Sequence, residues 1–248
     1  MRVIERPSPN HEPRAGGRAP DMLLLHYTAT VDGETAIRWL TNPKSKVSAH
    51  YLVDVDGSIV RMVDEADRAW HAGVSFWAGE RDINSCSIGI EIQNPGHDTF
   101  YPDFPEPQLV ALEALCRDIV SRHAIAPERV LAHSDVAPAR KIDPGEKLDW
   151  GRLHRAGIGH YVEPEPIRSG PVLKLGDEGP AVRELQERLA GYGYGVPRHG
   201  LYDGETRMVV AAFQRHFRPA RVDGVADSST IVTLERLAAA AGSPHAGT

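Results

Sequence analysis

The stretch SIGIEIQN, Ser87–Asn94, alternates without a break. Ile88, Ile90 and Ile92 fall on one face of an extended chain, and Gly89, Glu91 and Gln93 fall on the other. Three isoleucines on one side predict a strand whose apolar face joins a core. The same pattern sets Glu91 opposite that face. A carboxylate in so apolar a strand is costly unless it is paired or at work. A structural ion pair with Arg or Lys meets that condition, and so does a role as a proton acceptor.

Working outward, DMLLLHYTAT (Asp21–Thr30) reads as a buried strand that ends at His26, and GETAIRWLTN (Gly33–Asn42) as a helix. AHYLVDVDGSIVRMV (Ala49–Val63) is a hairpin, with two apolar runs around the turn signal Asp56-Gly57. The stretch Glu106–Ala124 carries Leu109, Leu112, Leu115, Cys116 and Ile119 at helical spacing. RVLAH (Arg129–His133) is a short strand that delivers His133 at its end. Strand, helix, hairpin, strand, helix, strand predicts an α/β domain over residues 21–160, with a mixed central β-sheet flanked by helices. Residues 1–20, rich in Pro, Gly and Arg, read as an N-terminal arm. The segment 161–171 (YVEPEPIRSGP) is dense in Pro and charge and reads as a linker.

Residues 172–241 predict a small all-α domain of three helices, within Gly179–Tyr194, Gly204–Phe217 and Asp227–Ala241. Tyr202-Asp203-Gly204 and Val222-Asp223-Gly224 precede the last two at similar offsets, a weak internal repeat. Residues 242–248 read as a disordered tail. The 248 residues carry a formal net charge of −6, which argues against general binding to nucleic acid or anionic membrane. No stretch approaches the roughly 18–20 apolar residues of a membrane span. The first residues lack the apolar h-region of a secretory signal. The expectation is therefore a cytoplasmic location, with periplasm or cell envelope as the alternative. Cys86 and Cys116, the only cysteines, exclude a disulfide framework and a Cys-rich metal site.

The segment HSDVAPARKIDPG, His133–Gly145, concentrates the remaining chemistry. Catalytic zinc takes three protein ligands from His and carboxylate and keeps a fourth position open. His26, His133 and Asp143 are candidates for that set. Pro144 restricts Asp143 to extended backbone, and Gly145 permits a sharp turn. Two strand-end histidines in a core and a D-P-G turn explain the same residues without a metal. Lys141 lies two residues before Asp143, on the same side of an extended chain. It is either an oxyanion-stabilising group or a solvated lysine.

LLLHYTAT, SAHYLVDVDGSI, AWHAGVSFWAGERDINSCSIGIEIQN and HSDVAPARKIDPG together resemble the zinc-dependent N-acetylmuramoyl-L-alanine amidases of the type 2 class. These share a fold with phage-type lysozymes and the peptidoglycan recognition proteins. The resemblance runs from about Asp21 to Gly159. It implies one zinc ion on His26, His133 and Asp143, a catalytic carboxylate at Glu91 and a catalytic lysine at Lys141. Phage-type members carry a tyrosine where this chain has Ala49, before His50. They lack the glutamate, so Glu91 is expected to move the proton alone. His71, in the family's WHAG motif, is expected to line the substrate cleft. His50, Asn84 and Arg140 are weaker candidates for substrate contact, and a structural role is the leading reading for His50. Trp70 and Trp77 are core residues or platforms for sugar or peptide, with core ahead for Trp70. His97, His123, His154 and His216 match no motif and read as surface residues.

The C-terminal unit resembles the peptidoglycan-binding domain type 1. The whole then implies hydrolysis of the amide between the lactyl group of N-acetylmuramic acid and L-alanine, in peptidoglycan or muropeptides. The small domain would be a targeting module on a tether that few contacts cross. Alternatives are a non-catalytic recognition protein on the same fold, a cytoplasmic recycling amidase for anhydro-muropeptides, and a phage-type lysin.

Overall fold

The computed structural model describes residues 3–241. The tail expected at 242–248 lies outside them, as do Met1 and Arg2. In chain order the elements are β1 (Val3–Glu5), β2 (His11–Pro13), β3 (Met22–Tyr27), α1 (Gly33–Leu40), β4 (Tyr51–Val53), β5 (Ile59–Arg61), β6 (Asp67–Ala69), α2 (Ile83–Cys86), β7 (Ser87–Ile92), α3 (Glu106–His123), β8 (Val130–Ala132), α4 (His133–Val136) and α5 (Trp150–Arg155). The C-terminal part adds β9 (Val172–Leu173), α6 (Pro180–Tyr192), α7 (Gly204–Phe217), β10 (Ala226–Asp227) and α8 (Ser228–Ala241).

Six strands form one mixed sheet in the order β1-β5-β4-β7-β3-β8. Only the β4–β5 hairpin is antiparallel. The parallel strands β3 and β7 lie at the centre, and this explains their sequences. A strand covered on both faces reads as a near-continuous apolar run, and MLLLHY is buried through His26. Leu23 and Leu25 join Ile88, Ile90, Ile92 and the α3 residues Leu112, Leu115, Cys116 and Ile119 in one core. Met22 and Leu24 point the other way, into a second core. His26 continues that second face, two residues past Leu24.

The N-terminal segment is no free arm. β1 extends the central sheet in parallel with β5, and β2 pairs with β6. Arg14 is buried and donates to the carbonyls of Glu65, Asn84 and Ser85. A buried guanidinium is tolerable because its donors find acceptors.

The tether expectation is overturned. The second core contains Met22, Leu24, Ala72, Trp77, Leu131 and Val136 together with Val182, Leu189, Tyr194, Val210, Phe213 and Phe217. One apolar cluster thus runs from the sheet into the helical unit. Trp77, fully buried, meets Tyr194 edge to face with ring centroids 4.9 Å apart. The backbone is sewn together as well: Ala78 N–H donates to the Gly193 carbonyl at 2.8 Å. Gly193 has φ 138°, and a Cβ there would lie 2.6 Å from the Trp77 ring, so glycine permits both the turn and the close approach. The 161–171 segment is also anchored. Tyr161 and Val162 pack on the second core, and the Glu165 carbonyl accepts from Ser229 Oγ of α8.

His216 corrects the surface reading directly. It is buried, stacked on Trp150 at 3.7 Å between ring centroids, and its Nδ1 lies 2.7 Å from Asp135 Oδ2. His154 is exposed as expected, whereas His97 and His123 are half-buried and face Glu146 and Glu65.

Candidate active site

The parallel pairing of β3 with β7 puts His26 directly opposite Glu91. Both side chains project from the face away from the α3 core. β8 lies on the other side of β3 and hands the chain to α4, whose first residue is His133. The loop after α4 returns Asp143 to this point, its carbonyl accepting from Ser134 N–H at 3.0 Å. Three neighbouring strands therefore converge on one spot.

His26 Nδ1, His133 Nδ1 and Asp143 Oδ2 face one another there. The two nitrogens are 2.9 Å apart, and the carboxylate oxygen lies 3.3 Å from His26 and 3.0 Å from His133. The three atoms fall within 4.8 Å of one another, and all three residues are buried. The opposite ring atoms are committed. His133 Nε2 lies 3.1 Å from the Ala72 carbonyl, which only accepts, so in the neutral ring the proton belongs on Nε2 and Nδ1 keeps its lone pair. His26 Nε2 meets His71 Nδ1 at 3.0 Å, and His71 Nε2 meets Ser87 Oγ, which donates to the Ile83 carbonyl. Read from that carbonyl inward, the chain of donors again leaves His26 Nδ1 as a lone pair. Both imidazoles thus present unprotonated nitrogens toward a carboxylate, the arrangement a cation requires.

The electrostatics agree. Burial, and then the neighbouring His133, pull His26 down to about 4, so it is neutral near pH 7. Burial opposes ionisation of Asp143; rings protonated at His133 and His26 would hold its carboxyl below the usual range, and with both nitrogens unprotonated that charge calls for a cation instead. Glu91 behaves in the opposite way. Burial and the nearby Asp143 charge push its carboxyl well above the usual value, and Lys141 offsets only part of this. Glu91 Oε2 has no hydrogen-bond partner. The ion-pair reading of Glu91 therefore fails: among the described residues no Arg or Lys pairs with it, and Lys141 acts on it through its field.

These residues line a cleft of about 220 Å³ with Tyr27, Thr28, Trp39, Trp70, His71 and Lys141 along its walls. Lys141 makes no ion pair among the described residues, so its charge is available to the cleft. Trp70 is half-buried at the wall, its Nε1 donating to Glu12, and is not the core residue expected. Trp39, exposed at the same wall, had no motif to mark it. Its one signal was a tryptophan on the polar side of an amphipathic helix.

Three candidates for substrate contact have other work. His50 Nδ1 accepts from Gly89 N–H at 2.9 Å, and Nε2 meets the Asp67 carbonyl. Burial and Arg14 take it down to about 3. Asn84 Oδ1 accepts from His71 N–H and Ala72 N–H, which fixes the backbone carrying His71. Arg140 Nη2 donates to the Ala72 and Val74 carbonyls.

Two residues matter that sequence reading passed over. Asp135 Oδ2 accepts from Ala132 N–H at 2.8 Å and so braces the turn that presents His133. Gly89 lets the His71 ring lie flat on β7: a Cβ there would come within 2.6 Å of the ring.

Residues 16–146 match the family model described as N-acetylmuramoyl-L-alanine amidase, and 178–234 match the putative peptidoglycan binding domain. The chain is 37% identical over 228 residues to the N-acetylmuramoyl-L-alanine amidase AmiD of Escherichia coli, covering 87% of this chain and 81% of that protein. It is 34% identical over 164 residues to the 1,6-anhydro-N-acetylmuramyl-L-alanine amidase AmpD of the same species, covering 59% of this chain and 87% of that one. The structure of E. coli AmiD complexed with anhydro-N-acetylmuramic acid-L-Ala-D-gamma-Glu-L-Lys superposes with TM-score 0.77 at 35% identity, over 94% of both chains. AmpDh3 of Pseudomonas aeruginosa gives TM-score 0.76 at 34% identity, over 92% of this chain and 94% of that one. On its sequence and its fold, the chain belongs to the N-acetylmuramoyl-L-alanine amidase family.

Proposed function

We propose that the protein hydrolyses the amide between the lactyl group of N-acetylmuramic acid and L-alanine, in muropeptides or peptidoglycan, with one zinc ion held by His26, His133 and Asp143. The observation that carries this reading is the unpartnered Glu91 Oε2 beside two imidazole lone pairs and a carboxylate. A recognition protein needs no such carboxylate, and leaving one there costs stability. Two nitrogens and one oxygen with an open side match the donor set of hydrolytic zinc. Bound there, the ion would supply Lewis acidity, lowering the pKa of water and polarising the substrate carbonyl.

The chain's own groups then divide the work. Glu91 accepts a proton from the attacking water at its free oxygen. Lys141 offsets the negative charge that grows on the lactyl carbonyl oxygen. Glu91 then returns the proton to the departing alanine nitrogen. An elevated carboxyl pKa suits both halves of that task, because the group is neither too weak a base nor too weak an acid.

Metal analysis tests the site: the purified protein is expected to carry about one zinc ion per chain. Removal by a chelator should abolish release of the peptide from a soluble muropeptide, and added zinc should restore it. A metal-free preparation with full activity refutes the assignment. A subtler test uses Gly89→Ala. The new methyl group displaces His71, His26 loses the partner that aims it, and metal affinity is expected to fall roughly 10–100-fold with the fold retained. Unchanged affinity would mean that His71 does not orient His26.

A further inference from the structure

A second cleft, of about 390 Å³, opens between the 138–142 loop and α7 of the helical unit. Arg140, Lys141, Arg207, Arg215 and Asp223 line it. Lys141 lines the catalytic cleft too, so the two clefts meet at that residue. Four cations thus face one carboxylate. Asp223 is already engaged, its Oδ1 accepting from Val225 N–H at 2.9 Å. Arg140 spends its donors on carbonyls, which leaves its charge unneutralised. Lys141, Arg207 and Arg215 make no side-chain hydrogen bond or ion pair among the described residues. Arg215 Nε is buried without a partner, although the guanidinium feels the charge of Glu146. Burying the Arg215 Nε without a partner costs free energy, and the like charges of Arg215, Lys141 and Arg207 along one concavity repel one another. Such a group is an anion site in search of its anion.

The position of the cleft indicates which anion. The substrate reading above places the scissile amide against Lys141, with the sugar on one side and the peptide on the other. A stem such as L-Ala-D-γ-Glu-L-Lys, the peptide in the AmiD complex, carries two free carboxylates. The glutamate is linked through its side chain, so its α-carboxylate is free, and the last residue ends in another. We propose that the cleft is a subsite for these stem carboxylates, with Arg207 and Arg215 as their ligands. The helical unit would then select the peptide of the substrate, beyond any hold it has on polymeric wall. This rests on the amidase reading.

The test compares two soluble substrates, a muramoyl tripeptide with both carboxylates free and the same molecule with both converted to carboxamides. The intact protein is expected to favour the acid by about tenfold in kcat/KM, mostly through KM, the scale of one or two charge-assisted hydrogen bonds. Arg207→Gln, at an exposed position, is expected to bring that ratio close to one. Arg207→Lys should restore part of it. A wild-type ratio near one refutes the subsite. So does an Arg207→Gln ratio equal to that of wild type, whether or not both rates fall together. Failure to cleave either substrate would instead refute the amidase reading, so the two failures are distinguishable.

Discussion

Glu91→Ala is expected to lower turnover of a soluble muropeptide by about 10²–10⁴-fold, the usual worth of a positioned general base. Metal content should stay that of the wild type, because Glu91 is not among the three facing donor atoms. Stability should be unchanged or higher. The wild-type side chain holds a carboxylate oxygen with no partner in a strand flanked by Ile90 and Ile92, and removing it relieves that cost. His133→Ala makes the contrast. It removes one of the three donors, so metal and activity should disappear together. Turnover, zinc content and thermal midpoint, measured on all three proteins, separate the roles. Near-normal turnover in Glu91→Ala would refute the mechanism, and loss of zinc would make Glu91 a ligand.

The faces of β3 and β7 were legible because alternation is a local property. Ile88, Ile90 and Ile92 had to share a core, and Glu91 had to oppose them. What alternation cannot give is register between strands sixty residues apart. That His26 sits opposite Glu91, and not one residue along, is a fact of parallel pairing that only the folded sheet supplies. A slip of one residue would put Glu91 on the α3 side. The same limit hid the donor chain from Ser87 through His71 to His26, whose members come from three separated segments. The helical unit misled for a different reason. Its three helices carry a clear apolar stripe, which reads as a self-contained module. Yet α7 buries Val209, Val210, Ala212, Phe213, His216 and Phe217, and His216 packs on Trp150 and Asp135 of the sheet-bearing part. Nothing local in VVAAFQRHF marks that second partner, because an apolar stripe does not say which element covers it.

Cutting the chain near Pro166 is therefore expected to leave a catalytic part that does not hold its native structure. The loss is not one of tethering. Without the helical unit, Trp77, Met22, Leu24, Leu131 and Val136 lose the apolar residues that complete their core. Asp135 loses Tyr194, whose hydroxyl donates to Oδ1 at 2.6 Å, and His216, 2.7 Å from Oδ2. On the face that truncation opens to water, Asp135 keeps one backbone donor, the Ala132 N–H. The damage falls on the active site as well, because Asp135 braces the turn that presents His133. What this chain lacks is the polar surface that a free-standing head would need where Trp77 and Val136 lie. Truncation should therefore reduce activity equally on soluble muropeptides and on intact sacculi, and near-ultraviolet circular dichroism should show lost aromatic packing. A truncated head with a thermal midpoint within a few degrees of the full chain, active on soluble substrate and weakened only on sacculi, would reinstate the tethered module and refute the integrated fold.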